Sequence, residues 1–241
     1  MPQPYLAPWL PMSHLHVYNR ACHNNLLFYT DRHRKRFLRA MGEKLAPFID
    51  IMSVNLLPNH WHANMELKSE KELRSILHRR NHISSIARLY LKGEATYEEV
   101  IAQVFRSFGV SYSRYFNLST QRKGRLYGQE IRRVQNKGND FHRAPIAYVL
   151  LNHEKHNLPR KGATYPWTSL NAKTRPSWVK HEALIERFGG PDAFREYLTA
   201  YMETRGKAFH ALDEDLFFGI DPLPKSYWMG EGPEIAGRPR Q

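Results

Sequence analysis

Leu57-Pro58-Asn59-His60-Trp61-His62-Ala63-Asn64-Met65-Glu66-Leu67 decides the reading of the fold. Pro58-Asn59 makes a short turn, because proline presets φ and asparagine tolerates turn geometry. The residues after it alternate as a strand, which puts His60 and His62 on one face and Trp61 on the other. The apolar run 48–56 before the turn is β-like, so the two halves form a hairpin. Upstream, His14-Leu15-His16-Val17-Tyr18-Asn19 alternates and reads as a first strand. Between the two, Asp31 can cap a helix to about residue 45, with Phe37, Leu38, Met41 and Leu45 on one face, and Pro47 ends it.

Downstream, the pattern predicts a helix over about 71–91, and Thr96-Tyr97-Glu98-Glu99 has the form of a capping box that starts another. Gly109 interrupts or kinks that helix. Residues 119–124 are a polar loop, and 125–134 alternate well enough for a fourth strand. After a polar loop at 136–140, a helix should run over about 141–156, with Pro145 near its first turn, where a missing N–H is tolerated. The order β-α-β-β-α-(α)-β-α gives an α+β fold, a ferredoxin-like antiparallel sheet backed by helices. Residues 1–170 carry this core. Residues 171–241 read as a helical C-terminal extension, with a linker at 172–177, a helix at 191–202 and a loose, proline-bearing tail.

Composition narrows the function. A 41% hydrophobic and 24% charged chain of 241 residues is not a mostly disordered one. The single cysteine, Cys22, excludes an intrachain disulfide framework and cysteine-rich zinc sites. No apolar run approaches the ~18 residues of a membrane span, and the N-terminal residues lack the pattern of a signal peptide, so a reducing cytosol is expected. The net charge of +13 calls for a polyanionic partner. It is concentrated: residues 101–143 hold nine Lys and Arg against Glu130 and Asp140, interleaved with Tyr112, Tyr115, Phe116, Tyr127 and Phe141. Cations beside rings suit single-stranded nucleic acid, although a solvated basic face with ordinary core aromatics has the same composition.

Two imidazoles at i and i+2 of a strand can share one metal ion. Spacing alone does not assign them, since 13 histidines in 241 residues make about 0.7 such pairs by chance. His14-Leu15-His16 is in fact a second pair, read as structural or DNA-adjacent. Only His60 and His62 directly follow a tight turn. In Ala147-Tyr148-Val149-Leu150-Leu151-Asn152, helical spacing projects Tyr148 and Asn152 together. A phenol, of pKa about 10, is a poor nucleophile until a cation activates it. A helical tyrosine is more often a packing residue, and Tyr112 and Tyr115 are rival nucleophiles.

Pro58-Asn59-His60-Trp61-His62, the opening strand His14–Arg20, Phe28 with Asp31, the segment Tyr112 to Tyr127 and Tyr148-Val149-Leu150-Leu151-Asn152 together resemble the HUH single-tyrosine transposases of single-stranded DNA. The resemblance spans roughly residues 12–170 and is nearest the REP-associated tyrosine transposases. This sequence departs in having His153 where the family commonly has proline after the asparagine. The resemblance implies that His60, His62 and Asn152 hold Mg²⁺ or Mn²⁺, imidazole favouring Mn²⁺. Tyr148 would be the nucleophile that forms a 5′-phosphotyrosine, and Arg114, Arg125, Arg132, Arg133 and Lys137 would grip DNA. It further implies cleavage and rejoining of single-stranded DNA beside a hairpin by a bacterial, cytoplasmic, nucleoid-associated protein, monomeric or homodimeric, with no membrane partner. A non-catalytic module that holds hairpin DNA or RNA, and an unrelated histidine-metal hydrolase, fit the same residues.

Overall fold

The computed structural model describes residues 5–22, 25–136, 143–156, 158 and 164–216, the stretch 205–216 as backbone only. Its elements are β1 (His14–Arg20), α1 (Asp31–Lys44), β2 (Ile49–Leu56), β3 (His60–Leu67), α2 (Glu70–His78), α3 (Ser85–Lys92), α4 (Tyr97–Ser119), β4 (Arg132–Gln135), α5 (Arg143–Lys155), α6 (His181–Arg187) and α7 (Pro191–Leu216). The four strands form one sheet in the order β2-β3-β1-β4, every neighbouring pair antiparallel. β3 lies between β1 and β2, which α1 connects, so this is the split βαβ arrangement of the ferredoxin-like fold.

The two faces of the sheet differ in chemistry. Register pairs Asn19 with Trp61, Val17 with Ala63 and Leu15 with Met65, and this face is closed by α1 and α4. There the Trp61 ring sits 5.6 Å from Phe37 of α1 and 5.9 Å from Phe108 of α4. The other face carries His16, Tyr18, Ser53, Asn55, His60, His62 and Asn64, all buried although nearly all are polar. It is closed by α5. Beyond α5, Ile146, Leu150 and Leu151 join Leu184, Phe188, Phe194 and Leu198 of α6 and α7 in a second apolar cluster.

Both sheet edges are covered. Residues 5–7 lie parallel to β4 through the backbone bonds Ala7 N to Arg133 O (3.1 Å) and Arg133 N to Tyr5 O (2.7 Å). Along β2, Leu56 N, Ser169 N and Lys180 N bond to Trp167 O, Val54 O and Ile51 O. Exposed edges template unwanted pairing, and this coverage removes them.

Several sequence expectations change. Thr30, not Asp31, is the N-cap of α1, and Asp31 stands in the first turn, where its charge suits the helix dipole. The helix expected over 71–91 is two helices. α2 ends at Arg79, and Ser84 restarts the chain as the cap of α3, accepting from Ala87 N at 3.2 Å. Gly109 does not break α4, which runs 23 residues from its Thr96–Glu99 capping box, because glycine removes a side chain but no backbone bond. The fourth strand is only Arg132–Gln135. The stretch before it is held to the end of β1 by the bridge of Ala21 with Tyr127 and by Cys22 N to Leu126 O at 2.9 Å. The presumed linker at 172–177 is fixed by turns on Asn171 and runs into Trp178, packed on α1, and the buried Val179. The expected start of α5 at Phe141, residues 137–140 of the loop expected at 136–140, and the loose tail lie outside the described residues.

Two helical glycines give opposite predictions. A Cβ at Gly42 would lie 2.7 Å from Trp178 Cδ1, whereas one at Gly109 would meet nothing within 4 Å. Gly42→Ala should therefore destabilise the protein by about 1–3 kcal/mol through overpacking. Gly109→Ala should stabilise it by about 0.5–1 kcal/mol through helix propensity. Urea unfolding of the two variants checks the sign of each.

Candidate functional site

The polar face under α5 gathers the chemistry. β3 begins at His60 directly after the Pro58-Asn59 turn, so His60 and His62 project together toward α5. Their rings are 5.0 Å apart, edge to face. α5 brings Tyr148 over them, its ring 5.7 Å from both the His62 and the His16 rings. Asn152, one turn on, stands beside His60 close enough to influence its protonation. The four residues singled out in sequence thus meet from two segments of one chain.

Hydrogen bonding prepares the imidazoles. His60 Nδ1 lies 2.6 Å from Asn59 Oδ1; a carbonyl oxygen only accepts, so that nitrogen carries the proton and Nε2 keeps its lone pair. His62 Nδ1 and His16 Nε2 share one proton at 2.9 Å. A cation on His62 Nε2 requires that proton on His62 Nδ1, donated to His16. Among the described residues, His62 Nε2 is buried without a hydrogen-bond partner, and the buried His60 Nε2 and Asn152 amide have none beyond the contact of Asn152 with His60 itself. Two nitrogens and an amide oxygen gathered in one place fit a divalent cation, although no group of three His, Cys, Asp or Glu side chains among the described residues could hold one. The amide oxygen of Asn152 is therefore needed to complete a third protein ligand.

Electrostatics point the same way. Burial pushes the His16 pKa down to about 3. Burial, and then the charges of His156, Arg20 and Lys155, hold His60 well below the ordinary range, with Asn152 pulling weakly the other way. Burial followed by its histidine neighbours does the same for His62. All three are neutral at pH 7, as ligation demands.

Sequence reasoning missed part of this constellation. His16 is a partner of His62 rather than a separate structural or DNA-adjacent residue, and Tyr18 stacks beside both at 5.1 and 5.4 Å. His156 sets its ring 5.1 Å from His60, and Lys155 Nζ lies 5.8 Å from the Tyr148 ring centroid. Strand parity would have placed His16 and Tyr18 once β1 was paired with β3; helical spacing from Asn152 would have found His156. The rival tyrosines are elsewhere. Tyr112 donates to Leu27 O at 2.7 Å on the α4 side, its phenol driven upward by burial, and Tyr115 packs on His33.

The expected DNA-binding arginines separate. Arg132 shares the histidine face and lies over Tyr5. Arg114 and Arg125 are exposed on the opposite side, at a cavity beside α4. Arg133 differs from the expectation: it is buried, donating to Ala7 O and to Glu130 Oε1 (3.2 Å) and lying over the Trp9 ring, so it fastens the N-terminal segment to β4. Lys137 is outside the described residues. No helix among the described residues is long and apolar enough to cross a membrane.

Because the three histidines can take a proton only after unfolding, the stability they contribute is intact above about pH 6.5 and falls as the pH drops below it. For His16 the loss continues to about pH 3. The slope is up to about 1.4 kcal/mol per pH unit for each such group. Urea midpoints at pH 7.5 and 5.5 should show a steep loss in the metal-free protein and a shallower one in His16→Gln; equal slopes would remove His16 from the account.

No protein-family model and no curated protein matches the chain. Among solved structures, the chain is similar to a REP-associated tyrosine transposase bound to a REP hairpin. The likeness has a TM-score of 0.46 at 10% sequence identity and covers 72% of this chain and 88% of that one.

Proposed function

We propose that the protein is a metal-dependent endonuclease and strand transferase of single-stranded DNA, acting beside a hairpin through a covalent bond to Tyr148. One observation carries the reading: the Tyr148 ring stands 5.7 Å from the His62 ring, on the face where the Nε2 atoms of His60 and His62 are buried. His60, His62 and Asn152 are the residues to hold Mg²⁺ or Mn²⁺, which when bound supplies Lewis-acid polarisation of a phosphodiester.

The chain's own residues do the rest. Asn59 fixes the His60 tautomer so that its Nε2 offers a lone pair, and His16 can accept the His62 Nδ1 proton so that the His62 Nε2 offers one too. Tyr148 Oη attacks phosphorus, a phosphorus–oxygen bond to tyrosine forms, and the bond to the 3′ oxygen breaks. The phenol gives up its proton and the departing 3′ oxygen takes one, leaving a 5′-phosphotyrosine and a free 3′-OH. One diester replaces another, so rejoining needs no ATP. Lys155 places a positive charge near the ring on which phenoxide develops. Arg114, Arg125 and Arg132, the last also bonded to Gln129 Oε1 and lying over Tyr5, are the described arginines assigned to phosphates. Since Tyr148 and the histidine pair meet within one chain, the chemistry requires no second subunit, and a DNA-handling protein of the cytoplasm is the setting that fits.

A labelled hairpin oligodeoxynucleotide with Mn²⁺, resolved on a denaturing gel, tests the reading. A protein–DNA adduct should form, vanish in Tyr148→Phe, persist in Tyr115→Phe and fall steeply in His62→Ala. Asn59→Ala should raise the Mn²⁺ needed by about 10- to 100-fold. Cleavage without an adduct would mean a plain metal hydrolase; binding without cleavage would leave a hairpin-holding module.

A further inference from the structure

His153 follows Asn152 on α5 and is buried. Its ring is held from three directions. Asn55 Nδ2 of β2 lies 3.1 Å from its Nδ1, Glu154 Oε1 lies 3.4 Å from its Nε2, and the Tyr165 ring stacks on it at 4.8 Å and 13°. Tyr165 is itself fixed, donating from Oη to Leu56 O. Asn55 settles the tautomer. Its amide nitrogen also donates to Val149 O at 2.9 Å, and an amide nitrogen only donates. His153 Nδ1 therefore accepts, and the ring proton sits on Nε2, toward the Glu154 carboxylate.

The place of this bond gives it its consequence. Asn55 is fully buried and stands opposite His62 in the pairing of β2 with β3. Val149 and His153 are one helical turn apart. A single amide of the sheet thus spans the turn of α5 that carries Asn152 and begins just after Tyr148. The His153 carbonyl in turn accepts from His156 N at 3.2 Å and from Leu158 N at 2.9 Å, so the chain leaves the helix by pivoting on the same residue. Asn152 before it and His156 after it both reach His60. This is the position where the sequence has histidine and the family it resembles commonly has proline, whose side chain offers no acceptor to Asn55.

We infer that His153 is a positioning residue of the cation site: through its Nδ1 bond to Asn55 it locks the last turn of α5 to β2 and so holds the Asn152 amide beside His60. His153 acts through Asn152, as partners behind a ligand do when they set its orientation. The inference rests on the metal binding proposed above for His60, His62 and Asn152. It differs from a packing role in a way that can be measured. A ring that only fills space works through its stack on Tyr165, which another aromatic side chain preserves. Positioning depends on one acceptor atom, which another aromatic side chain lacks.

The test titrates the full chain, free of DNA, with Mn²⁺ and reads the unbound ion from its electron paramagnetic resonance signal, so cleavage plays no part. Thermal melting in EDTA reports the folding of each variant. His153→Phe keeps a ring for Tyr165 and removes the acceptor. His153→Asn gives up the stack but sets a carbonyl oxygen near the place of Nδ1. His153→Gln reaches past that place toward Glu154. His153→Phe and His153→Gln should bind Mn²⁺ about 10- to 100-fold more weakly than wild type. His153→Asn should recover most of that loss, whatever the order of the melting temperatures. Should His153→Phe not fold, His153→Gln against His153→Asn makes the same comparison. Affinity that follows the ring, tight in His153→Phe and weak in His153→Asn, would overturn the inference, as would wild-type affinity in every folded variant. Wild type that takes up no Mn²⁺ would remove the metal reading itself and this inference with it, an outcome distinct from tight binding throughout the series.

Discussion

A buried polar sheet face is the constraint on which the rest depends. Polar side chains removed from water must find partners, and α5 can cover this face only where its backbone supplies them. Asn64 Nδ2 donates to Pro145 O at 2.9 Å, Asn55 Nδ2 to Val149 O at 2.9 Å, and Thr168 Oγ1 to Leu150 O at 2.8 Å. Carbonyls already bonded within a helix accept a second donor, so the helix loses nothing by these contacts. Three side chains of fixed position thereby set both the rotation and the axial height of α5. Tyr148 and Asn152 lie on the stripe so presented, and their approach to His60 and His62 follows from that register rather than from a loop's freedom.

The same interface explains why imidazoles are tolerated so deep in the fold. An apolar helix would seal the face more cheaply, but ionised histidines there would be costly, and burial accordingly keeps them neutral. Asn59 and His16 each accept or share a ring proton, which leaves the outward nitrogens of His60 and His62 unmet but for the contact of Asn152 with His60. Unmet buried groups cost stability. On the same face Asn55 Oδ1 and Asn64 Oδ1 are also unmet among the described residues, although the amide nitrogens of both are bonded, so the whole face carries this cost and not the histidines alone.

Much of this was legible in the sequence because the signals were local. The turn at Pro58-Asn59, the alternation of β1 and β3 and the Thr96–Glu99 capping box each depend on near neighbours, and the ferredoxin-like order follows from them. Tyr148 and Asn152 were legible for the same reason, sharing a face at helical spacing. His16 was not, because its role depends on which strand lies beside β1 and in what register, and that is a long-range fact. Arg133 was misread for a related reason. As a member of a basic run it looked available, and only the N-terminal segment folding back along β4 occupies it. The break between α2 and α3 was written locally, in Ser84, but the apolar periodicity on either side masked it.

β4 is the place where the two faces communicate. Adjacent residues of a strand point to opposite sides, so Arg132 belongs to the histidine face and Arg133 to the α4 face. With β4 only four residues long, and Arg125 a short distance before it in sequence, positive charge passes from one side of the sheet to the other around this edge. The opposite edge, β2, is covered by residues 167–180, as β4 is by residues 5–7. The segment 5–7 borders β4 on its outer side, and Arg133 keeps it in place. Truncating the N-terminal segment would then be felt on both faces at once, through the buried Trp9–Phe105 stack on one and through Tyr5 beneath Arg132 on the other.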